Sequence, residues 1–195
     1  MSGPLEPHHL RLMDVALAQA FSGLGTTAPN PSVGCVIAKE GRILAAAVTA
    51  PGGRPHAEAQ ALKKAGEAAR GADAYVTLEP CSHHGKTPPC AEALISAGVA
   101  RVFVACTDPD PRVSGRGIAL LREAGIEVIE GIRRSEAEAM NAGFFTRVRT
   151  GLPLVLQDRR PGLFDADLVP GPDESVDAAL QRLGREGMTR VRVAL

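Results

Sequence analysis

Strand-like apolar runs alternate with one-faced helical segments over most of the chain, and this alternation restricts the fold more than any other feature. Helical patterns occupy residues 8–22, 57–70, 89–97, 117–124 and 133–147. Strand-like runs occupy residues 33–39, 43–48, 74–78, 101–106 and 126–130. Because helices and strands that alternate at these lengths cover a sheet on both faces, we predict an α/β domain at residues 1–149.

Residues 150–195 have a different character. The stretch 159–174 is rich in turn formers and has no sustained period, whereas Ser175 is a typical N-cap for a helix to Glu186. Residues 188–195 are typical of a strand. Since these pieces make a poor core alone, we expect an appendage that is partly mobile or packs on the first domain or a partner subunit.

Composition excludes several classes of protein. Lys plus Arg and Asp plus Glu both number 22, so the formal net charge is +0, unlike that of a general nucleic-acid or anionic-membrane binder. Aromatic residues make up 3%, too few for a base-stacking surface. The longest apolar run, 43–48, is far shorter than a membrane span, and residues 1–10 lack a secretory signal pattern. We expect a cytoplasmic enzyme that contacts neither membrane nor nucleic acid.

The four cysteines fall into two pairs. Cys35 and Cys106 lie inside apolar runs, which predicts small buried side chains. Cys81 and Cys90 each follow a proline in a polar loop, where a core thiol is not expected. In a chain without a secretory signal, such cysteines are thiols or metal ligands rather than disulfide partners.

His56, Cys81 and Cys90 together are typical zinc ligands. One imidazole and two thiolates suit Zn²⁺, and three protein ligands leave the fourth tetrahedral position open, as in catalytic sites. Glu58 follows His56 by two residues and can reach a metal-bound water without being a ligand. The pattern H-x-E, P-C and a later C is the zinc-deaminase signature, in which zinc activates water and the glutamate moves protons.

The spacing between the two thiols departs from the usual P-C-x-x-C, since eight residues separate Cys81 from Cys90. The resulting stretch, PCSHHGKTPPC, closely resembles the pyrimidine deaminase domain of riboflavin biosynthesis. Residues 29–37 (PNPSVGCVI), 52–58 (GGRPHAE) and 108–117 (DPDPRVSGRG) resemble the same family in the same order.

This resemblance implies a three-layer α/β/α fold with a mixed central sheet, as in cytidine deaminases. It implies one Zn²⁺ per chain on His56, Cys81 and Cys90, with Glu58 catalytic. The substrate implied is 2,5-diamino-6-(5-phosphoribosylamino)pyrimidin-4(3H)-one, a phosphorylated pyrimidine. The residues implied to meet it are Asn30, His83, Lys86, Asp108 and Asp110.

Three departures from the family bear on function. Many members have Asn at the position of Asp110, and some have His near that of Thr49. Relatives often carry a C-terminal NADPH-dependent reductase domain, of which residues 149–156 and 175–195 resemble only parts. We therefore expect a decayed or deleted reductase and no NADP. A second copy of the chain or a separate reductase protein remains open as a partner.

Two alternatives remain from the residues alone. One is a deaminase of another small aminated heterocycle, such as a pterin, guanine or a secondary-metabolite pyrimidine. The other is a zinc-stabilised, non-catalytic partner of a separate reductase. The presence of Glu58 disfavours the second alternative, because a structural zinc needs no proton-transfer group.

Overall fold

The structure, a computed structural model, describes residues 6–83, 88–110 and 114–195. Its larger unit contains the α-helices α1 (Pro7–Ser22), α2 (Ala57–Ala65), α3 (Cys90–Ala97), α4 (Arg116–Glu123), α5 (Arg134–Met140) and α6 (Ala142–Thr150). Its strands are β1 (Gly34–Lys39), β2 (Arg42–Val48), β3 (Asp73–Leu78), β4 (Arg101–Cys106) and β5 (Glu127–Glu130). The C-terminal segment adds β6 (Leu154–Asp158), β7 (Ala166–Asp167), α7 (Val176–Arg185) and β8 (Arg190–Ala194).

The larger sheet has the strand order β2-β1-β3-β4-β5. β1 is antiparallel to both β2 and β3, whereas β3, β4 and β5 are parallel. The predicted mixed sheet is therefore confirmed. Its parallel half brings the ends of β3 and β4 to one edge of the sheet, next to the start of α3 and α4.

Helices cover this sheet on both faces. α1 packs on β1 to β3 and contacts α5, while α2 packs on β1 and β2 and contacts α3, which contacts α4. Successive strand residues point to opposite faces. Gly34 meets the carbonyl of Ala16 in α1, whereas its neighbour Cys35 lies on the side of Glu58 in α2. The predicted three-layer α/β/α fold is confirmed.

Two predicted helices differ from those observed. The helix predicted over 57–70 ends at Ala65, because Gly66 takes a φ of 55°, and residues 66–69 continue as a 3₁₀ turn. The helix predicted over 133–147 is divided at Asn141 into α5 and α6. Asn141 takes φ −93° and ψ 10°, outside the helical range, although its backbone nitrogen still donates to the Ala137 carbonyl at 3.0 Å.

The C-terminal segment forms a second sheet, with β8 in the middle and parallel to both β6 and β7. Ser175 caps α7 as predicted, since its hydroxyl accepts from the Ala178 backbone nitrogen at 3.2 Å. The segment lies against the larger unit, where Arg147 in α6 donates to the Gly184 carbonyl at 3.0 Å. Among the described residues, no helix combines the length and apolar character needed to cross a membrane.

Candidate metal centre and active site

The three predicted zinc ligands come from three separate elements and converge. His56 is the N-cap of α2, Cys81 follows the end of β3, and Cys90 is the first residue of α3. Their ligand atoms all lie within 4.8 Å of one another. The His56 Nδ1 is 3.7 Å from the Cys81 Sγ and 3.4 Å from the Cys90 Sγ.

These distances fit a zinc ion. Ligand bonds of about 2.0–2.1 Å to nitrogen and 2.3 Å to sulfur, at a tetrahedral angle, place nitrogen and sulfur about 3.6 Å apart. The two observed separations, 3.4 and 3.7 Å, lie on either side of that value. One nitrogen and two sulfur donors also match the ligand types of catalytic zinc sites.

The Cys81 thiol differs from the two cysteines of the core. Hydrogen bonds from the Cys90 thiol and backbone nitrogen, together with His56, lower the pKa of Cys81 to about 4. Burial raises the pKa of Cys35 and of Cys106, the latter to about 12, and keeps both side chains neutral. Cys35 and Cys106 are buried apolar side chains, as predicted.

Glu58 lies in the first turn of α2 and is only 3% exposed. Burial is the main reason that its pKa is raised, to about 7. A carboxyl group with a pKa near neutrality can both accept and return a proton, which is what a general acid/base requires. Glu58 lines the same cavity as His56 and Cys81.

That cavity has an empty volume of ≈ 560 Å³ and contains most of the residues predicted to meet substrate. Asn30, His83 and Asp108 line it. Asp110 helps to fix this wall, because its backbone nitrogen donates to the Asp108 carboxylate at 2.8 Å. Lys86 lies outside the described residues.

Asn30 is held in one orientation. Its side-chain nitrogen donates to the Gly53 carbonyl at 2.9 Å, so the amide oxygen is on the other side of the group. A Cβ atom at Gly53 would collide with the Asn30 side chain, and Gly53 also has a φ of +85°. Only glycine therefore allows this close contact between the Asn30 loop and the segment that leads to His56.

Comparison with known proteins identifies this arrangement. Residues 7–106 match the family model described as the cytidine and deoxycytidylate deaminase zinc-binding region. The chain belongs to the cytidine and deoxycytidylate deaminase family. Zinc is the metal of this deaminase domain, and the nitrogen and two sulfurs described above provide its site.

Two curated relatives show to which members of this family the chain is similar. The riboflavin biosynthesis protein RibD of Escherichia coli strain K12 is 57% identical over 140 residues, which are 72% of this chain and 38% of that protein. The diaminohydroxyphosphoribosylamino-pyrimidine deaminase of Buchnera aphidicola subsp. Schizaphis graminum is 50% identical over 141 residues, 72% of this chain and 96% of the relative. The chain spans well under half the length of the RibD relatives. The resemblance to riboflavin-biosynthesis deaminases is confirmed.

One solved structure also matches the C-terminal segment. It is the deaminase/5-amino-6-(5-phosphoribosylamino)uracil reductase of Thermotoga maritima, with a TM-score of 0.85 and 26% identity, covering 96% of this chain and 81% of that one. Because few residues of this chain lie outside the match, most of the segment 150–195 lies inside it.

Glu79 is a residue of this deaminase that sequence reasoning missed. Its carboxylate is buried and accepts from the backbone nitrogens of Gly115 at 2.9 Å and Gly117 at 3.0 Å. It also accepts from Asp108 at 3.3 Å. Glu79 therefore ties the loop of Cys81 to the start of α4 and to the cavity wall at Asp108. In the sequence, the position of Glu79 between a strand-like run and Pro80-Cys81 could have indicated a role beside the site.

Among the lining residues that were not predicted to contact substrate are Arg54, Thr49 and Phe144. Arg54, two residues before His56, adds a permanent positive charge. Thr49 is buried, and its hydroxyl accepts from the Val33 backbone nitrogen at 3.1 Å, which fixes this part of the wall. Phe144 comes from α6, more than fifty residues beyond Cys90 in the chain, and no local pattern indicates it.

Proposed function

We propose that the chain catalyses the hydrolytic deamination of 2,5-diamino-6-(5-phosphoribosylamino)pyrimidin-4(3H)-one. The products are 5-amino-6-(5-phosphoribosylamino)uracil and ammonia, in riboflavin biosynthesis. One observation carries the proposal: His56, Cys81 and Cys90 converge beside buried Glu58 in one cavity. The printed name of the Buchnera aphidicola relative, matched over 96% of its length, supports the choice of substrate.

Glu58 performs the proton transfers of this reaction. Bound zinc supplies a nucleophile at neutral pH, because it lowers the pKa of water. The Glu58 carboxylate takes the proton of the attacking water and delivers it to a ring nitrogen of the substrate. The carboxylate then takes the proton of the new hydroxyl group on the attacked carbon and gives it to the amino group, so that the C–N bond breaks, the carbonyl forms and ammonia leaves. A buried carboxyl with a pKa of about 7 is suited to both steps.

The remaining predicted residues orient the pyrimidine. Asn30, fixed by its bond to Gly53, directs its amide oxygen and second N–H toward the edge of the ring. His83 and Asp108, in the same cavity wall, contact the polar groups of the substrate. Lys86, outside the described residues, contacts the phosphate, and Asp110 modulates that contact by its negative charge.

Glu58→Gln tests the proposed role directly. The amide keeps the shape of the side chain but cannot carry the proton, so we expect zinc content as in the unchanged protein and no detectable ammonia. The assay mixes purified protein with the diaminopyrimidine phosphate and measures ammonia and zinc per chain. Turnover near that of the unchanged protein would mean that another residue is the base. If the unchanged protein itself releases no ammonia, the chosen substrate is wrong, and an aminated pterin or guanine would be assayed next.

Three further expectations remain part of this proposal: a cytoplasmic location, no use of NADP, and a second copy or separate reductase as partner. A fluorescence titration with NADPH checks the cofactor. Binding that is coupled to reduction of the ribosylamino intermediate would contradict the interpretation of residues 150–195 as a remnant.

A further inference from the structure

Two walls of the zinc cavity also border the C-terminal segment. The loop after α1 contributes Asn30 and Pro31, and α6 contributes Phe144. Pro31 and Phe144 line a second, smaller cavity as well, whose opposite side is formed by Asp165, Thr189 and Arg190 of the C-terminal segment. The same two side chains thus separate the zinc cavity from that segment.

The C-terminal segment contacts the loop that leads to Asn30 at two points. A Cβ atom at Gly25 would lie 2.7 Å from the backbone nitrogen of Phe164. A Cβ atom at Gly187 would lie 2.8 Å from the Cβ of Pro29, the residue next to Asn30. Contacts this close mean that backbone packs directly on backbone or on a proline ring, with little room to shift.

The C-terminal segment contacts α6 on both sides of Phe144 in the same way. A Cβ atom at Gly143 would lie 2.7 Å from the Thr189 carbonyl oxygen. One turn further on, Arg147 donates to the Gly184 carbonyl at 3.0 Å. Phe144 therefore lies in a stretch of α6 that the segment holds at both ends.

The segment is ordered by contacts of its own that do not involve the zinc cavity. The Asp165 carboxylate accepts from the backbone nitrogens of Thr189 at 2.7 Å and Arg190 at 2.9 Å. Leu183 in α7 and Val191 in β8 are buried. The segment can therefore be unfolded by a substitution far from the zinc ligands.

We propose that residues 154–195 act as a positioning element of the deaminase, which holds the Asn30 loop and Phe144 in place for substrate binding. This inference rests on the proposed function. A loop that is already ordered loses less conformational entropy when substrate binds, so affinity depends on the support. Because Asn30 and Phe144 contact parts of the substrate that do not react, loss of the support raises KM more than it lowers kcat.

The main test is Leu183→Asp, which places an unpaired charge in the buried face of α7 and unfolds the segment. Val176→Asp is the matched control, because Val176 is on the same helix and 53% exposed. We expect Leu183→Asp to keep one zinc per chain, to raise KM for the diaminopyrimidine phosphate about tenfold and to change kcat less than about twofold. The control retains both constants.

A milder substitution shows whether a rise in KM comes from the lost contact and not from a general folding defect. Arg147→Met removes the bond to the Gly184 carbonyl without burying a charge, and we expect a smaller rise in KM with zinc retained. Unchanged KM in both variants overturns the inference. Zinc loss in Leu183→Asp together with an unchanged KM in Arg147→Met also overturns it, because the segment would then support the whole fold and not the cavity wall.

Hydrogen exchange separates this inference from the proposed function. In the unchanged protein the Asn30 backbone nitrogen donates to the Thr27 carbonyl at 3.0 Å and that of Gly52 donates to Thr26 at 2.8 Å. We expect both amides to exchange faster in Leu183→Asp and unchanged in Val176→Asp. If the unchanged protein releases no ammonia, the proposed function fails, while unaltered exchange of these amides beside an unfolded segment overturns the positioning role.

Discussion

The two sheets of the molecule are stabilised in different ways. The three inner strands of the five-stranded sheet, β1, β3 and β4, are buried on both faces, and at their centre Tyr75 and Phe103 stack with ring centroids 4.6 Å apart. The three-stranded sheet has few buried side chains, and Leu156 and Val193 on it are 37% and 39% exposed. Ion pairs are frequent in this segment, namely Arg160–Asp158, Arg182–Glu174 and Arg192–Asp167.

This difference explains where the chemistry lies. Parallel strands are stable when both faces are covered, and the larger sheet achieves this with its own helices. Such a core can hold side chains from separate loops at fixed distances, as a zinc site requires. The smaller sheet has one helix of its own and depends on packing against the loop after α1 and against α6.

The largest expected effect is on the metal at the edge of the larger sheet. Cys81→Ser and Cys90→Ser should lose the zinc and all deamination, because a neutral hydroxyl replaces a thiolate ligand. Cys35→Ser and Cys106→Ser are controls that should keep the zinc, since both thiols are buried and neither belongs to the group of converging ligand atoms. Zinc per chain is measured by elemental analysis. A full complement in both ligand variants would contradict the assignment.

The second largest difference is expected in stability, when one buried side chain is shortened in each sheet. Phe103→Ala removes a ring that is 1% exposed and stacked on Tyr75, so we expect the free energy of unfolding to fall by about 3–5 kcal/mol. Val191→Ala in β8 removes fewer atoms and should cost about 2 kcal/mol. Urea unfolding followed by circular dichroism measures both. Equal losses would mean that the smaller sheet is as integral to the fold as the larger one.

A smaller effect, on pH dependence, is expected at the end of the larger sheet away from zinc. The His9 Nδ1 lies 2.7 Å from the Tyr75 hydroxyl oxygen, and its ring stacks on Phe103. Burial, followed by the charges of His8 and Arg101, lowers the pKa of His9 below 6.5, while Asp73 and Glu6 act in the opposite direction. Folding thus favours neutral His9, and its contribution is present above pH 6.5 and lost as pH falls through the lowered value.

The control for this measurement is the His9→Gln variant, in which the side chain at position 9 does not titrate. The free energy of unfolding should fall more steeply in the unchanged protein than in the variant between pH 7.5 and 5.5. Zinc release at low pH affects both proteins and cancels in the difference. Parallel curves would show that His9 contributes no pH dependence.

The smallest effect is expected for an ion pair of the smaller sheet. Arg182 donates to Glu174 at 2.9 Å, but the two side chains keep 38% and 21% of their exposure, and ion pairs that water can still screen contribute little. Arg182→Ala should barely change the melting temperature at low salt, and the difference should vanish at high salt. A large loss, by contrast, would show that ion pairs and not packing hold this segment together.

Periodicity predicted most elements of the larger unit but missed some of their ends. The ten helical and strand-like segments all have a counterpart, since apolar period and glycine stops are local properties. The break at Asn141 depends on the backbone angles of one residue, which the run of helix-forming residues around it conceals. β7, two residues within the turn-rich stretch, exists because it pairs with β8.

The sequence by itself determined the chemistry: a nitrogen and two sulfur ligands, a glutamate two residues beyond the histidine, and the separation of zinc thiols from core thiols. These depend on residue type and spacing, which are visible along the chain. Only the tertiary structure decided that Glu79 binds three backbone nitrogens, those of Asp108 and Gly115 in the loop after β4 and that of Gly117 in α4, and that Phe144 lines the cavity. It also decided that residues 154–195 pack behind Asn30. These contacts join residues far apart in the chain, and their energy arises from burial and close packing that no local pattern encodes.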